Sequence, residues 1–323
     1  MLPFVLAASA AAVVAGVINK RRVARTIEHE FSNRFPVTEN GIVKGAESFT
    51  LPGTNGRALL LLHGSGDTPQ SLRHLADRLH DAGYSVSVPL LPGHGRSPRD
   101  FASATAEDYH SAARRALEEL AQSAAWVGII GLSMGGALAA RLANETTRAR
   151  VLVLLAPYLT PPGPVKWIAR TSWLWGPASP YLRGRGEASV HDAAASATSR
   201  AYGTFSPGAL DALLKTAAAG WRVLPNLSMP VLVVNSEQDN RIPPKLARLV
   251  LKQLRAPVEE HWVTGCGHVL TMDYCKDTVA ALVLTFLARH ADRVSARHAS
   301  KGAGQPVTRS IMFSPNSLIA STP

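Results

Sequence analysis

Cysteine is nearly absent: the 323 residues contain two, Cys266 and Cys275. Two cysteines cannot make a disulfide scaffold, and their spacing is not that of metal ligands, so each is expected as a small buried or half-buried side chain. No HExxH or similar set of His, Asp and Glu occurs, so no metal is expected. No strand-like run is followed by GxGxxG, which argues against a dinucleotide site, and no cofactor is expected. The chain also lacks internal repeats and any basic stripe interleaved with aromatics. Its net charge of +11 is concentrated at the ends: residues 1–34 and 290–323 supply six of the eleven units. A charge placed there does not predict nucleic-acid binding. It suits attraction to an anionic membrane surface better.

The first stretch, Met1 to Ile18, has no ionised side chain and is followed by Lys20, Arg21, Arg22 and Arg25. A secretory leader carries its positive charge before the apolar segment, whereas here the charge comes after. Residues 1–19 therefore read as a membrane anchor, with the Lys-Arg side and the catalytic domain cytoplasmic. The competing expectations are a peptide cleaved at Ala8-Ser9-Ala10, or a helix packed on a soluble cytoplasmic domain. Residues 20–56 read as a basic linker leading to one or two edge strands. The main domain is expected at 57–290, and a basic tail without periodicity at 291–323.

From Arg57 onward, short apolar runs alternate with amphipathic stretches. Ala58 to Leu62 is uninterruptedly apolar, as a strand covered on both faces should be. Pro69 to Ala82 has Leu72, Leu75, Ala76 and Leu79 on one helical face. The pattern repeats with strands at 84–91, 126–131, 150–156, 230–234 and 258–263. Such alternation predicts an α/β fold with a doubly wound, mostly parallel sheet whose chemistry lies at the carboxyl ends of the strands. Between Pro157 and Met229 the rhythm breaks into a Pro- and Trp-rich segment too long for a plain loop. It reads as a small helical cap at 158–222. Trp167, Trp173 and Trp175 are candidates for the walls of an apolar acyl pocket, with cap core as the competing role.

The densest chemical signal is Gly131-Leu132-Ser133-Met134-Gly135-Gly136, between an apolar run and an alanine-rich helix former. Gly131 and Gly135 let strand and helix backbones approach closely, and the sharp turn lifts the Ser133 hydroxyl above the sheet. A serine hydroxyl needs a base, and the base needs a third group to hold its tautomer. His268 follows the last strand in a glycine-flanked loop and is the expected base. His191 falls in the cap, His261 within a strand, and His290 and His298 at or past the end of the domain. Asp239 follows the strand at 230–234 and is the expected acid, with Glu237 in reserve; Asp273 and Asp277 are assigned to the first turn of the last helix. Met134 N–H and Ser65 N–H are the expected donors to a developing oxyanion. His63 and His94 are expected to brace their loops.

With His63-Gly64, Gly93-His94-Gly95, the 131–136 turn, Asp239 and Gly267-His268 together, the chain resembles an α/β-hydrolase fold enzyme. The nearer resemblance, over about 59–287, is to bacterial carboxylesterases and monoacylglycerol lipases with a small cap. It includes His63-Gly64 followed by Pro69-Gln70-Ser71, and the box from Cys266 to Asp273. The resemblance implies Ser133, Asp239 and His268 as triad, Ser65 and Met134 as oxyanion donors, and a bulky apolar residue more often found where this chain has Ser65. It also implies a serine ester hydrolase acting on acyl esters of small alcohols. A thioesterase, amidase, acyltransferase or cofactor-free perhydrolase would use the same triad, and a membrane-tethered interaction module would have lost it.

Overall fold

The computed structural model describes residues 2–184 and 189–291. Its first element, α1 (Leu2–Arg34), runs without a break through both the apolar stretch and the basic residues after it. The basic linker expected from residue 20 is therefore helix up to Arg34. Its second half is seated on the body: Phe31 stacks on Tyr202 at 5.0 Å, Arg183 pairs with Glu30, and Asn19 Nδ2 donates to the Ala178 carbonyl. Among the described residues no helix is long and apolar enough to cross a membrane. That overturns the expected membrane-anchored placement. The basic tail expected beyond Ala291 lies outside the described residues.

After an isolated bridge between Val37 and Val43, the chain enters β1 (Phe49–Leu51), β2 (Arg57–Leu62), α2 (Arg73–Asp81), β3 (Ser85–Val88), α3 (Pro98–Ser103) and α4 (Ala106–Ser123). Then follow β4 (Trp126–Leu132), α5 (Met134–Glu145) and β5 (Ala149–Leu155). Ser97 and Thr105 open α3 and α4 with reciprocal capping boxes to Asp100 and Asp108, so each start is fixed by side chains its own sequence supplies. An insertion carries α6 (Gly163–Arg170), α7 (Ser172–Trp175), the ribbon β6 (Leu182–Arg183) and β7 (Thr204–Phe205), α8 (Ala193–Thr198) between those two strands, and α9 (Pro207–Val223). The sheet closes with β8 (Val231–Ser236), α10 (Pro244–Gln253), β9 (Val258–Val263) and α11 (Lys276–Ala291).

Seven strands lie in the order β1-β3-β2-β4-β5-β8-β9, all parallel except β1. The strands β2, β4, β5 and β8 are central and almost wholly buried, which explains their unbroken apolar sequences. One core layer, around Tyr109, Leu138 and Leu213, lies under α4, α5 and α9; the other, around Leu75, Val283 and Phe286, lies under α2 and α11. Helices on both faces leave the carboxyl ends of β2, β4, β8 and β9 to gather the loops that follow them. Those loops carry Ser65, Ser133, Asp239 and His268.

Candidate active site

Ser133 occupies the one-residue turn between β4 and α5 with φ 55° and ψ −119°, a region that L-residues seldom adopt. Two close approaches force that geometry. A Cβ on Gly131 would lie 2.2 Å from the Gly135 carbonyl oxygen, and one on Gly135 would lie 2.1 Å from the Leu62 carbonyl oxygen. The turn is held by Ser133 N–H donating to Leu155 O, and by Tyr158 N–H and Gly136 N–H donating to Ser133 O. The side chain is thus fixed at the end of β4 rather than free to choose its direction.

His268 Nε2 lies 2.7 Å from Ser133 Oγ, and His268 Nδ1 lies 2.8 Å from Asp239 Oδ2. All three side chains are buried. The second Asp239 oxygen accepts the Arg241 and Ile242 amides at 2.7 and 2.8 Å. Burial works to raise the Asp239 carboxyl, but the neighbouring His268 and these two amides outweigh it and hold it below the usual carboxylate range. Glu237, the reserve acid, instead faces Arg248 at 4.0 Å on the surface.

Gly64 sets Ser65 beside the nucleophile: a Cβ there would come within 3.3 Å of Ser133 Cβ. Met134 opens α5 directly after Ser133, so its amide belongs to a helix N-terminus. Met134 is thus the residue after the nucleophile, and Ser65 follows the glycine that packs against it. His63 braces this region as a neutral ring, with Nδ1 on Gly64 O at 2.9 Å and Nε2 accepting the Leu91 amide at 3.1 Å. Burial lowers its pKa to about 4. His94 packs edge-on against it and bonds Pro92 O. Among the described residues no group of His, Cys, Asp and Glu could hold a metal ion.

The three tryptophans are not brought together as buried walls. Trp167 and Trp173 are 67% and 72% exposed on α6 and α7, so neither lines a closed pocket nor fills cap core. Trp175 is half-buried, with its Nε1–H donating to Ile168 O.

Two features escaped the sequence reading. Cys266 and Cys275 form a disulfide that closes the loop bearing His268, with Cα atoms 5.9 Å apart. Nine residues of separation gave no hint, because only the turn between β9 and α11 brings the two chain positions together. Asp273 does not belong to the first turn of the last helix, which begins at Lys276. Its buried carboxylate accepts four amides: His191 and Asp192 from the insertion, and Gly267 and Tyr274 from its own loop, at 2.7 to 2.9 Å. Burial opposes its ionisation, but the four amides prevail and lower its pKa below the usual range. On the other side, the Ser236 hydroxyl at the end of β8 donates to Cys266 O, tying the acid-bearing strand to the His268 loop.

The family described as serine aminopeptidase, S33, matches residues 54–274. The chain is 28% identical over 262 residues to a thermostable monoacylglycerol lipase of Bacillus sp. (strain H-257), spanning 80% of this chain and 99% of that protein. It is 24% identical over 243 residues to a carboxylesterase of Bacillus subtilis (strain 168), spanning 75% and 96%. A solved structure from work on LipS and LipT, two metagenome-derived lipolytic enzymes, superposes with a TM-score of 0.71 at 27% identity, covering 77% of this chain and all of that one. The monoacylglycerol lipase of Paleococcus ferrophilus superposes with a TM-score of 0.65 over 75% of this chain and 98% of its own; at 18% identity that likeness is one of fold.

Proposed function

The chain belongs to the serine aminopeptidase S33 family of α/β-hydrolases, and from that membership we propose a serine hydrolase that cleaves carboxylic esters through Ser133, His268 and Asp239. The observation that carries this reading is the continuous hydrogen-bonded line from Ser133 Oγ through the His268 ring to Asp239. His268 Nε2 takes the Ser133 proton as Oγ attacks the acyl carbon. Asp239, ionised, accepts Nδ1–H and stabilises the imidazolium. The carbonyl oxygen becomes an oxyanion facing the Ser65 and Met134 amides, each such donor supplying about 3–4 kcal/mol to the transition state. His268 then returns its proton to the leaving alcohol. Water repeats the sequence on the acyl-serine, releasing the acid.

Acyl esters of small alcohols, monoacylglycerol among them, are the proposed substrates; the two Bacillus relatives, each covered almost end to end, support that choice. The same triad makes the acyl-enzyme for a thioesterase, acyltransferase or cofactor-free perhydrolase. Those alternatives differ in leaving group or acceptor, and the triad itself favours none of them. The test is labelling by a fluorophosphonate, with Ser133→Ala as the blank, followed by turnover of p-nitrophenyl esters, monoacylglycerols, acyl-CoA and amides. Labelling confined to Ser133, with esters fastest, is expected. Absence of labelling in folded protein would defeat the nucleophile assignment, and faster turnover of acyl-CoA or amides would defeat the ester assignment.

A further inference from the structure

The insertion returns to the catalytic floor just ahead of α8, over Ser189 to Asp192. Two of its contacts there, through the amides of His191 and Asp192, end on Asp273. Two others come from a single residue. Ser189 Oγ accepts the Arg241 Nε–H at 2.7 Å, and Ser189 O accepts the Val269 N–H at 3.0 Å. A Cβ on Gly267 would lie 2.7 Å from that same carbonyl oxygen, so it is the glycine that lets the segment come so close.

Each of these partners is a neighbour of a triad member. Arg241 follows closely on Asp239, and its amide is one of the pair that fixes Asp239 Oδ1. Gly267 and Val269 stand immediately before and after His268. Ser189, a half-buried residue of the insertion, thus holds the loop of the acid with its side chain and the loop of the base with its backbone. The two loops leave different strands, β8 and β9, so neither loop sets their separation alone. That separation decides whether His268 Nδ1 can stand 2.8 Å from Asp239 Oδ2 while Nε2 stands 2.7 Å from Ser133 Oγ. In such an array a misplacement of about 1 Å costs on the order of a hundredfold in rate.

We propose that Ser189 is a positioning residue for the triad: resting on the ester-hydrolase reading, it sets the acid loop against the base loop from the insertion, without touching substrate or the reacting atoms. A hydrogen bond from a guanidinium is charge-assisted and directional, so the Ser189 hydroxyl fixes the side chain of the residue whose amide binds Asp239. Without that hydroxyl the Asp239 carboxylate keeps its two amides, but the loop presenting them is no longer held from above. The carbonyl link to the Val269 N–H survives a change of side chain at Ser189, so removing the hydroxyl releases the acid side alone. The insertion is then part of the machinery that aligns the base, and not only a cover over it.

The experiment measures the second-order rate at which a fluorophosphonate labels Ser133 in the full chain, which reads activation of the nucleophile whatever ester is preferred. Ser189→Ala should lower that rate about tenfold, and Ser189→Thr, which keeps a hydroxyl, should restore it to within about threefold of the natural protein. In an Asp239→Asn background the acid no longer orients the ring, so there Ser189→Ala should cost less than about twofold. A rate unchanged by Ser189→Ala overturns the proposal. So does a loss of about tenfold repeated in the Asp239→Asn background, because a residue that merely supports the fold acts whether or not the acid is intact. Should Ser189→Ala fail to fold, Arg241→Met removes the donor from the other side and is held to the same two outcomes. Failure of the folded natural protein to label at all is a separate result, and it defeats the hydrolase reading itself.

Discussion

Asp239 Oδ2 stands 2.8 Å from His268 Nδ1, while the carboxylate's other oxygen is fixed by the amides of Arg241 and Ile242. The acid is therefore clamped on one side by its own loop and offers a single oxygen to the base. Orientation of the imidazole follows from that clamp, since its Nδ1 is bonded to this one fixed oxygen among the described residues.

Asp239→Asn should lower kcat by at least about a thousandfold, because an amide presented to Nδ1 stabilises the wrong tautomer. Glu237→Gln should stay within about twofold, since its partner is the surface residue Arg248. Steady-state kinetics on folded variants checks both, and the opposite ranking would move the orienting role to Glu237.

The disulfide between Cys266 and Cys275 closes a short loop around His268 and Asp273. By loop-closure entropy it should stabilise the fold by about 2–3 kcal/mol. Cys275→Ser is expected to lower the denaturant midpoint accordingly and to reduce kcat more than it raises KM, because the loosened segment carries the base rather than the substrate. Equal stability of the oxidised and dithiothreitol-treated protein would contradict this.

His63 gives the chain an acid weakness. Its folded-state pKa, about 4, lies below the ordinary 6.5, so the unfolded chain binds the proton first as pH falls. Stability is therefore complete above about pH 6.5 and is lost progressively down to about pH 4, by about 3 kcal/mol in all. Protonation would also remove the acceptor for the Leu91 amide. Urea midpoints at pH 7 and pH 4.5 should converge in His63→Gln relative to the natural protein. The comparison between the two proteins cancels the opposite contribution of Asp67, whose raised pKa gives stability that is lost as pH rises through about 6. An identical pH slope in both would refute the assignment.

Removal of α1 up to Arg34 should cost stability rather than merely release a leader. Phe31 stacks on Tyr202, which in turn stacks on Phe101 at 4.8 Å and bonds the backbone of Gly93 and Arg96 through its hydroxyl. A fall of several degrees in Tm is expected for a chain beginning at Phe35, against little change for one beginning at Lys20. Equal melting of the two truncations would show the packed half of α1 to be dispensable.

The legible parts of this sequence were those governed by local rules. Alternating buried strands and amphipathic helices, the glycine-flanked Ser133, and a histidine after the last strand all announce themselves within a few residues. That Asp239 and not Glu237 contacts His268 was legible because loop position decides reach. The remainder depends on contacts between distant segments. Nothing near Cys266 shows that the chain will return to it at Cys275, and nothing near Asp273 shows that the insertion will bring two amides to it. The exposure of Trp167 and Trp173 was not legible, because composition reports what a segment contains and not which way it faces. The N-terminal stretch misled for a related reason: hydropathy marked an end at Ile18, while helix propensity carried the element on to Arg34.

The carboxylate of Asp273 joins two pieces of chain that could have moved separately. Its bonds to His191 and Asp192 belong to the roof over the site, and its bonds to Gly267 and Tyr274 belong to the floor that carries His268. A roof riveted to the floor at this corner cannot lift there without dragging the imidazole away from Ser133.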